Sequence, residues 1–305
     1  MNKFAIVVDS AADIPRPLVD KYGIKVVSLH VTYKDREYAD GVDLDIDRFL
    51  DMLENVDELP ITSQPAPADF LAAYSQLIDE GYTQILSLHL SSALSGTCEC
   101  ARGAAKFMAE QLGVRIEVVD SCSATVGQGT MALEAAVIAE KGGTLDEAIE
   151  RVENIKRTYQ IYFVPDTLDN LVKGGRASKF QGIATALLNI KIVVGLTETG
   201  AIEVLHKAKG MKSAMAHIVK LMAKRSQELG PVVYYKLHTK AHKALELMEK
   251  PLQTSGLAGR CITEGTIGPT IATHVGLHAA GLFFYPEEYH SPELDGIAEY
   301  FTPSV

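Results

Sequence analysis

Two apolar rhythms alternate through the first half of this chain. Phe4–Val8, Gln84–Leu90 and Val114–Val119 are short runs dominated by apolar residues, and each reads as a strand. Ala101, Ala104, Ala105, Met108 and Leu112 recur at helical spacing, and Gly113 stops that helix. The same spacing predicts helices from about Asp69 to Asp79, from Thr130 to Lys141 after Gly127 and Gly129, and from Leu145 to Lys156. Strand and helix in alternation argue for a parallel, doubly wound sheet within an α/β protein.

Near Tyr162 the rhythm changes. Leu168 and Leu171 mark a short helix closed by Gly174-Gly175, and a helix over 178–188 follows. Ile190–Val194 and Ile202–Leu205 read as strands joined by a Thr199-Gly200 turn, which predicts an antiparallel hairpin. A helix over 213–227, strands at Val232–Tyr235, Cys261–Thr263 and Leu282–Tyr285, and a helix from Lys240 to Lys250 complete the pattern. The expectation is an N-terminal α/β domain over 1–160 with a doubly wound, mainly parallel sheet. A smaller α+β domain with antiparallel strands follows over 161–305.

Charge narrows the partners. With 39 acidic against 29 basic residues, the formal charge is −10. That disfavours nucleic acid, which wants a basic footprint, and anionic membrane surfaces. Nowhere does an apolar run reach the roughly 18 residues a membrane span needs, so no stable membrane insertion is expected. The start of the chain has too short an apolar run for a signal peptide, which places the expected location in the cytoplasm. Cys98 and Cys100 point about 200° apart on a helix, so neither a shared metal nor a pairing is expected of them.

The chemistry concentrates in loops. Ser91-Ser92-Ala93-Leu94-Ser95-Gly96-Thr97 joins a strand to a helix start, where unpaired N–H groups and the helix dipole favour an anion. Asp9-Ser10 and Asp120-Ser121 each follow an apolar strand, and ligands of doubly wound sheets bind outside such strand ends. The same residue types are ordinary helix caps and turn formers. Thr62-Ser63-Gln64-Pro65-Ala66-Pro67 reads as an extended loop whose hydroxyls could reach the site of Ser95. Neither G-x-G-x-x-G after the first strand nor a Walker loop nor G-x-S-x-G occurs. His274 and His278 are four apart, as are His238 and His242, but neither pair has the Glu of H-E-x-x-H, so no metal is expected. What remains suits an oxyanion: a carboxylate, a phosphate or an acyl phosphate.

Taken in order, these strings resemble the DegV family, the fatty-acid-binding component of bacterial fatty acid kinase. The resemblance spans about residues 3–284. It rests on Asp9-Ser10, Asp40-Gly41, Thr62-Ser63-Gln64-Pro65, Ser91 to Thr97, Asp120-Ser121, Gly174-Gly175-Arg176, Leu188-Asn189-Ile190-Lys191 and Ile267-Gly268-Pro269 with Thr273-His274 and Gly276. It implies one long-chain fatty acid held in a buried pocket, no cofactor, and no catalysis by this chain. A partner kinase subunit would phosphorylate the carboxyl group for phospholipid synthesis. The resemblance makes Thr62, Ser63, Ser95, Gly96, Thr97 and His274 carboxylate-binding residues. It makes Arg176 and Lys209 the phosphoryl-transfer or partner-facing ones. Lys209 stands where the family usually has Arg, Ile192 replaces a proline, Ala66 a serine, and Leu277-His278 a Pro-Gly pair. Two other readings compete. One is an acyl hydrolase or transferase with Ser95 as nucleophile, His274 as base and a carboxylate such as Asp9 orienting the histidine. The other is a small-anion sensor at the same loop.

Overall fold

The apolar strands of the first half assemble side by side, as their alternation with helices predicts. A computed structural model describes residues 4–177 and 189–301, and the expected helix over 178–188, with Leu188, lies outside them. Four parallel strands run in the order β2 (Lys25–Val27), β1 (Ala5–Asp9), β6 (Gln84–His89), β7 (Arg115–Asp120). Side chains alternate across this sheet. Ala5, Val7 and Ile85 meet α3 (Pro67–Asp79) and α4 (Thr97–Leu112) through Phe70, Tyr74, Leu77, Ala101, Ala105 and Met108. Ile6, Val8, Leu86 and Leu88 face the other way, into a core shared with α1 (Arg16–Tyr22), α5 (Val126–Glu140) and α6 (Leu145–Thr158). Of the five apolar positions that define α4, Leu112 alone is exposed, because it ends the helix before the left-handed Gly113.

The second half builds a six-stranded mixed sheet. Its order is β10 (Ile202–Lys209), β9 (Ile190–Leu196), β8 (Gln160–Val164), β13 (Ala280–Pro286), β11 (Val232–His238), β12 (Gly259–Thr266). All neighbours are antiparallel except β11 and β12. Leu282, Phe284, Val232 and Tyr234 face α8 (Gly210–Leu229) and α9 (His242–Thr254). Phe283, Tyr285, Val233 and Tyr235 face the core of the first half. Helices α5 and α6 therefore lie between the two sheets, touching β6 and β13. Thirteen of the fifteen α5 residues are buried, which explains a helix apolar on every side. Gly127 and Gly129 lie inside it rather than before it. A Cβ at Gly129 would come within 2.3 Å of the Ala12 carbonyl oxygen, so this glycine lets the helix start press on the segment after β1, while Gly127 makes room for Ser123 and Phe283.

A third sheet has no counterpart in the sequence reading. β4 (Arg36–Ala39), β3 (His30–Tyr33) and β5 (Ile61–Ser63) pair antiparallel, with Thr62 opposite Val31. The sequence reading puts Thr62 and Ser63 in a loop, but main-chain pairing to β3 makes them a strand. Three residues carry too little periodicity to show it. The remaining helices are α2 (Ile46–Leu53), α7 (Asp169–Lys173), α10 (Pro269–Val275) and α11 (Ala298–Phe301). Among the described residues no helix is long and apolar enough to cross a membrane.

Candidate functional site

The ends of β1, β6 and β7 lie beside one another, and their aspartates shape the loop between β6 and α4. Asp9 is fully buried. Its carboxylate accepts hydrogen bonds from Ala11 N, Leu90 N and Gln128 Nε2 at 3.1, 2.9 and 3.0 Å. Asp120 accepts from Ser92 N at 3.1 Å and Cys122 N at 2.7 Å. Both aspartates are loop braces, and Asp9 satisfies backbone donors that burial would otherwise leave unpaired. Ser91 is buried and donates to the Gly200 carbonyl at 3.1 Å, tying this loop to the β9–β10 hairpin. Ser95 remains at the loop's inner edge, 2.9 Å from the Thr97 hydroxyl.

A second anchored element faces this loop. Asp13 accepts from Gly268 N at 2.9 Å, and Asp40 accepts from Ser10 Oγ at 3.2 Å and Thr270 Oγ1 at 2.5 Å. Burial raises the pKa of both carboxyl groups. These contacts fix α10, which starts at Gly268-Pro269 with proline at an early helical position where no N–H is needed. His274, on its last turn, is thereby set against β5, with Nε2 2.8 Å from Thr62 Oγ1. Its Nδ1 is buried and has no hydrogen-bond partner among the described residues. Burial, and then the charge of Arg176, lower its pKa to about 4, so the ring is neutral at pH 7.

The Gly-Gly-Arg string explains itself here. A Cβ on Gly174 would come 2.4 Å from His274 Nδ1, and Gly175 has φ of +77°. Arg176 then turns inward, with Nε 3.1 Å from the Leu94 carbonyl and Nη1 2.5 Å from the Gly174 carbonyl. It is half-buried, burial lowers its pKa, and among the described residues no carboxylate pairs with it. A cation in that setting is an anion site in waiting.

Thr62, Ser63, Ser95, His274 and Arg176, with Gln64, line one end of a cavity. Apolar residues from both halves of the chain line the rest, among them Leu29, Leu90, Ile161, Leu196, Leu237 and Ile271. Gly96 and Thr97 are not in the lining: Gly96 caps α4 against Gln64, and Thr97 is buried behind Ser95. Lys209 stands exposed at the end of β10, away from the cavity lining. Leu277 and His278 are also outside the lining.

The hydrolase geometry does not form. Ser95 bonds Thr97 and His274 bonds Thr62, while Asp9 orients a different histidine, His89, at 3.0 Å. His89 Nε2 is 2.7 Å from Ser87 Oγ, and Ser87 is 2.8 Å from the Tyr74 hydroxyl. This Asp-His-Ser relay has the distances of a triad. His89 and Ser87 are nevertheless fully buried and absent from the cavity lining, so no substrate reaches them. The relay satisfies buried polar groups. Ser87 and His89, inside an apolar strand, gave no sign of it in the sequence.

The fold and the site define a three-sheet α/β protein with a mainly apolar cavity that ends in hydroxyls, a neutral histidine and an arginine with no carboxylate partner among the described residues. A family model described as "Uncharacterised protein, DegV family" matches residues 3–287, and the chain belongs to that family. A DegV domain-containing protein of Caldanaerobacter subterraneus is 34% identical over 285 residues, 93% of this chain and 99% of its own. A DegV family protein from Thermus thermophilus, solved as a fatty-acid-binding protein, superposes with a TM-score of 0.82 at 31% identity, covering 94% of this chain and 100% of that one. A fatty-acid-binding DegV family protein from Streptococcus agalactiae superposes with a TM-score of 0.83 at 26% identity, covering 94% and 99%.

Proposed function

We propose that this chain binds one long-chain fatty acid and presents its carboxylate to a partner fatty acid kinase, which converts it to an acyl phosphate. The observation that carries this reading is the polar end of the cavity. A half-buried arginine with no carboxylate partner among the described residues, the hydroxyls of Thr62 and Ser95 and a neutral imidazole stand at one end of a mainly apolar space. The fatty-acid-binding relatives from Thermus and Streptococcus support the ligand class.

The energetics suit this division. Burying an acyl chain contributes about 0.8 kcal/mol per CH₂, so a long chain supplies on the order of 10 kcal/mol. The head then needs donors enough to offset its desolvation. Thr62 and Ser95 provide hydroxyls, and Arg176 provides charge. In this reading Ser63, Gln64 and Gly96 are exposed near the mouth, where a partner enzyme reaches the carboxyl oxygen. The chain supplies binding, and the kinase supplies ATP and phosphoryl transfer.

Native mass spectrometry of the purified protein, with extraction and identification of released lipid, tests the binding step. One fatty acid per chain is the expected result. A chain that remains empty after incubation with C14 to C18 acids refutes it. The presenting step is tested by adding ATP and a bacterial fatty acid kinase subunit to the loaded protein and trapping acyl phosphate with hydroxylamine. Bound lipid that yields no hydroxamate removes the kinase reading and leaves the carrier.

A further inference from the structure

On the far side of β11 from the cavity, three potential metal ligands converge. Leu237 lines the cavity, and His238, the next residue along the strand, points the opposite way. Thr239–Ala241 reverse the chain, with Lys240 in the left-handed region at φ of 51°. That turn brings His242, at the start of α9, back over His238, and the two ring centroids are 4.0 Å apart. Glu264 comes from the neighbouring strand β12. Its Oε1 is 2.9 Å from His242 Nδ1 and 3.6 Å from His238 Nε2, and one ligand atom from each of the three residues lies within 4.8 Å of the others.

We propose that His238, His242 and Glu264 form a Zn²⁺ site. Ligand bonds of about 2.0–2.2 Å at tetrahedral angles separate ligand atoms by roughly 3.4 Å, close to the two spacings measured here. Two histidines and one carboxylate are a zinc donor set, with the fourth position left for water. His238 is only 4% exposed, and its Nε2 is turned toward Glu264 Oε1 at 3.6 Å, just beyond hydrogen-bond reach, so an ion between them would give that nitrogen a partner. Lys236 Nζ bonds Glu249 at 2.7 Å and stands 3.7 Å from Glu264 Oε2, on the side of the carboxylate away from the histidines. His242 is solvent-facing, its side chain 70% exposed, so the ion has a path in and the displaced imidazole proton a path out.

The sequence offered the i, i+4 histidine pair but not its partner. The pair is not on one helix: a strand end and a helix start hold it, and the glutamate of the set lies 22 residues further on. The ion would pin β11, β12 and α9 together at one end. Ile267 N donates to the His238 carbonyl at 3.0 Å, so the site abuts the segment that leads into α10. This proposal does not depend on the lipid reading.

The test is a titration of the metal-stripped protein with Zn²⁺ against a chromophoric chelator, repeated with Co²⁺ as a spectroscopic probe. One equivalent of Zn²⁺ and visible Co²⁺ bands of four- or five-coordinate geometry are expected. His242→Ala and Glu264→Gln each weaken binding by at least about tenfold. Cys98→Ser and Cys100→Ser leave it unchanged. Circular dichroism and lipid retention check that the variants remain folded. A chain that takes up no stoichiometric Zn²⁺, or one whose affinity survives in His242→Ala or Glu264→Gln, overturns the proposal.

Discussion

Thr62→Val separates the structural contact of one hydroxyl from the carboxylate-binding role proposed for it. Valine keeps the shape of threonine and fits a strand, so β5 stays paired to β3. In the free protein the change removes the 2.8 Å contact to His274 Nε2, on a ring whose Nδ1 already lacks a partner. Thr62 is half-buried and water replaces the hydroxyl in part, so the loss of stability is about 1 kcal/mol. For a chain of this size that lowers Tm by roughly 1–2 °C. With a fatty acid in place the same hydroxyl donates to a charged carboxylate, a bond of about 1.5–3 kcal/mol. Retention then falls by roughly 10- to 150-fold, well beyond the effect on folding. Displacement of a fluorescent fatty acid from delipidated protein, beside thermal melts of the empty form, measures both. A variant with the small drop in Tm and retention within twofold of the parent refutes the reasoning: Thr62 would then serve His274 alone, and the carboxylate would be held elsewhere.

Other consequences follow from the same geometry. Arg176→Gln removes the one charge at the polar end and lowers retention of a fatty acid more than that of the matching alcohol, in the same displacement assay; equal losses would show that the arginine does not face the carboxylate. His274 contributes to acid sensitivity. With a folded pKa near 4 and an unfolded value near 6.5, the unfolded chain binds more protons between those values, so stability falls as pH drops. Between pH 7 and 5 this amounts to about 2 kcal/mol, and urea melts of His274→Gln at the two pH values should show a difference smaller by that amount. Glu134 is fully buried and accepts from Arg151 Nη1 at 3.0 Å, Ser291 N at 2.9 Å and the Tyr285 hydroxyl at 3.2 Å, tying the C-terminal segment to α5. Glu134→Gln should cost about 2–3 kcal/mol in urea melts and leave lipid retention unaltered, because none of these residues lines the cavity.

The sequence by itself determined the alternation of strands and helices, the switch to antiparallel pairing, and a hydroxyl-rich loop between a strand and a helix at Ser91–Thr97. Those features are local: a period of two or of 3.6, a glycine that stops a helix, hydroxyls at a helix start. The ordered motifs also pointed to a family, and Thr62, Ser63, Ser95, Arg176 and His274 do gather at one end of a cavity. Only the tertiary structure decided how they meet. Thr62 and His274 are 212 residues apart, joined because Asp13 and Asp40 anchor α10 beside β5. It turned Asp9 from a partner for His274 into a brace for His89. It drew Gly127 and Gly129 into α5, where packing against a neighbouring carbonyl outweighed glycine's weak helix propensity. It also paired Glu264 with two histidines from a strand end and a helix start. Contacts across long loops leave no periodic trace in the chain. They depend on which strands become neighbours, and burial of apolar faces settles that for the whole sheet at once.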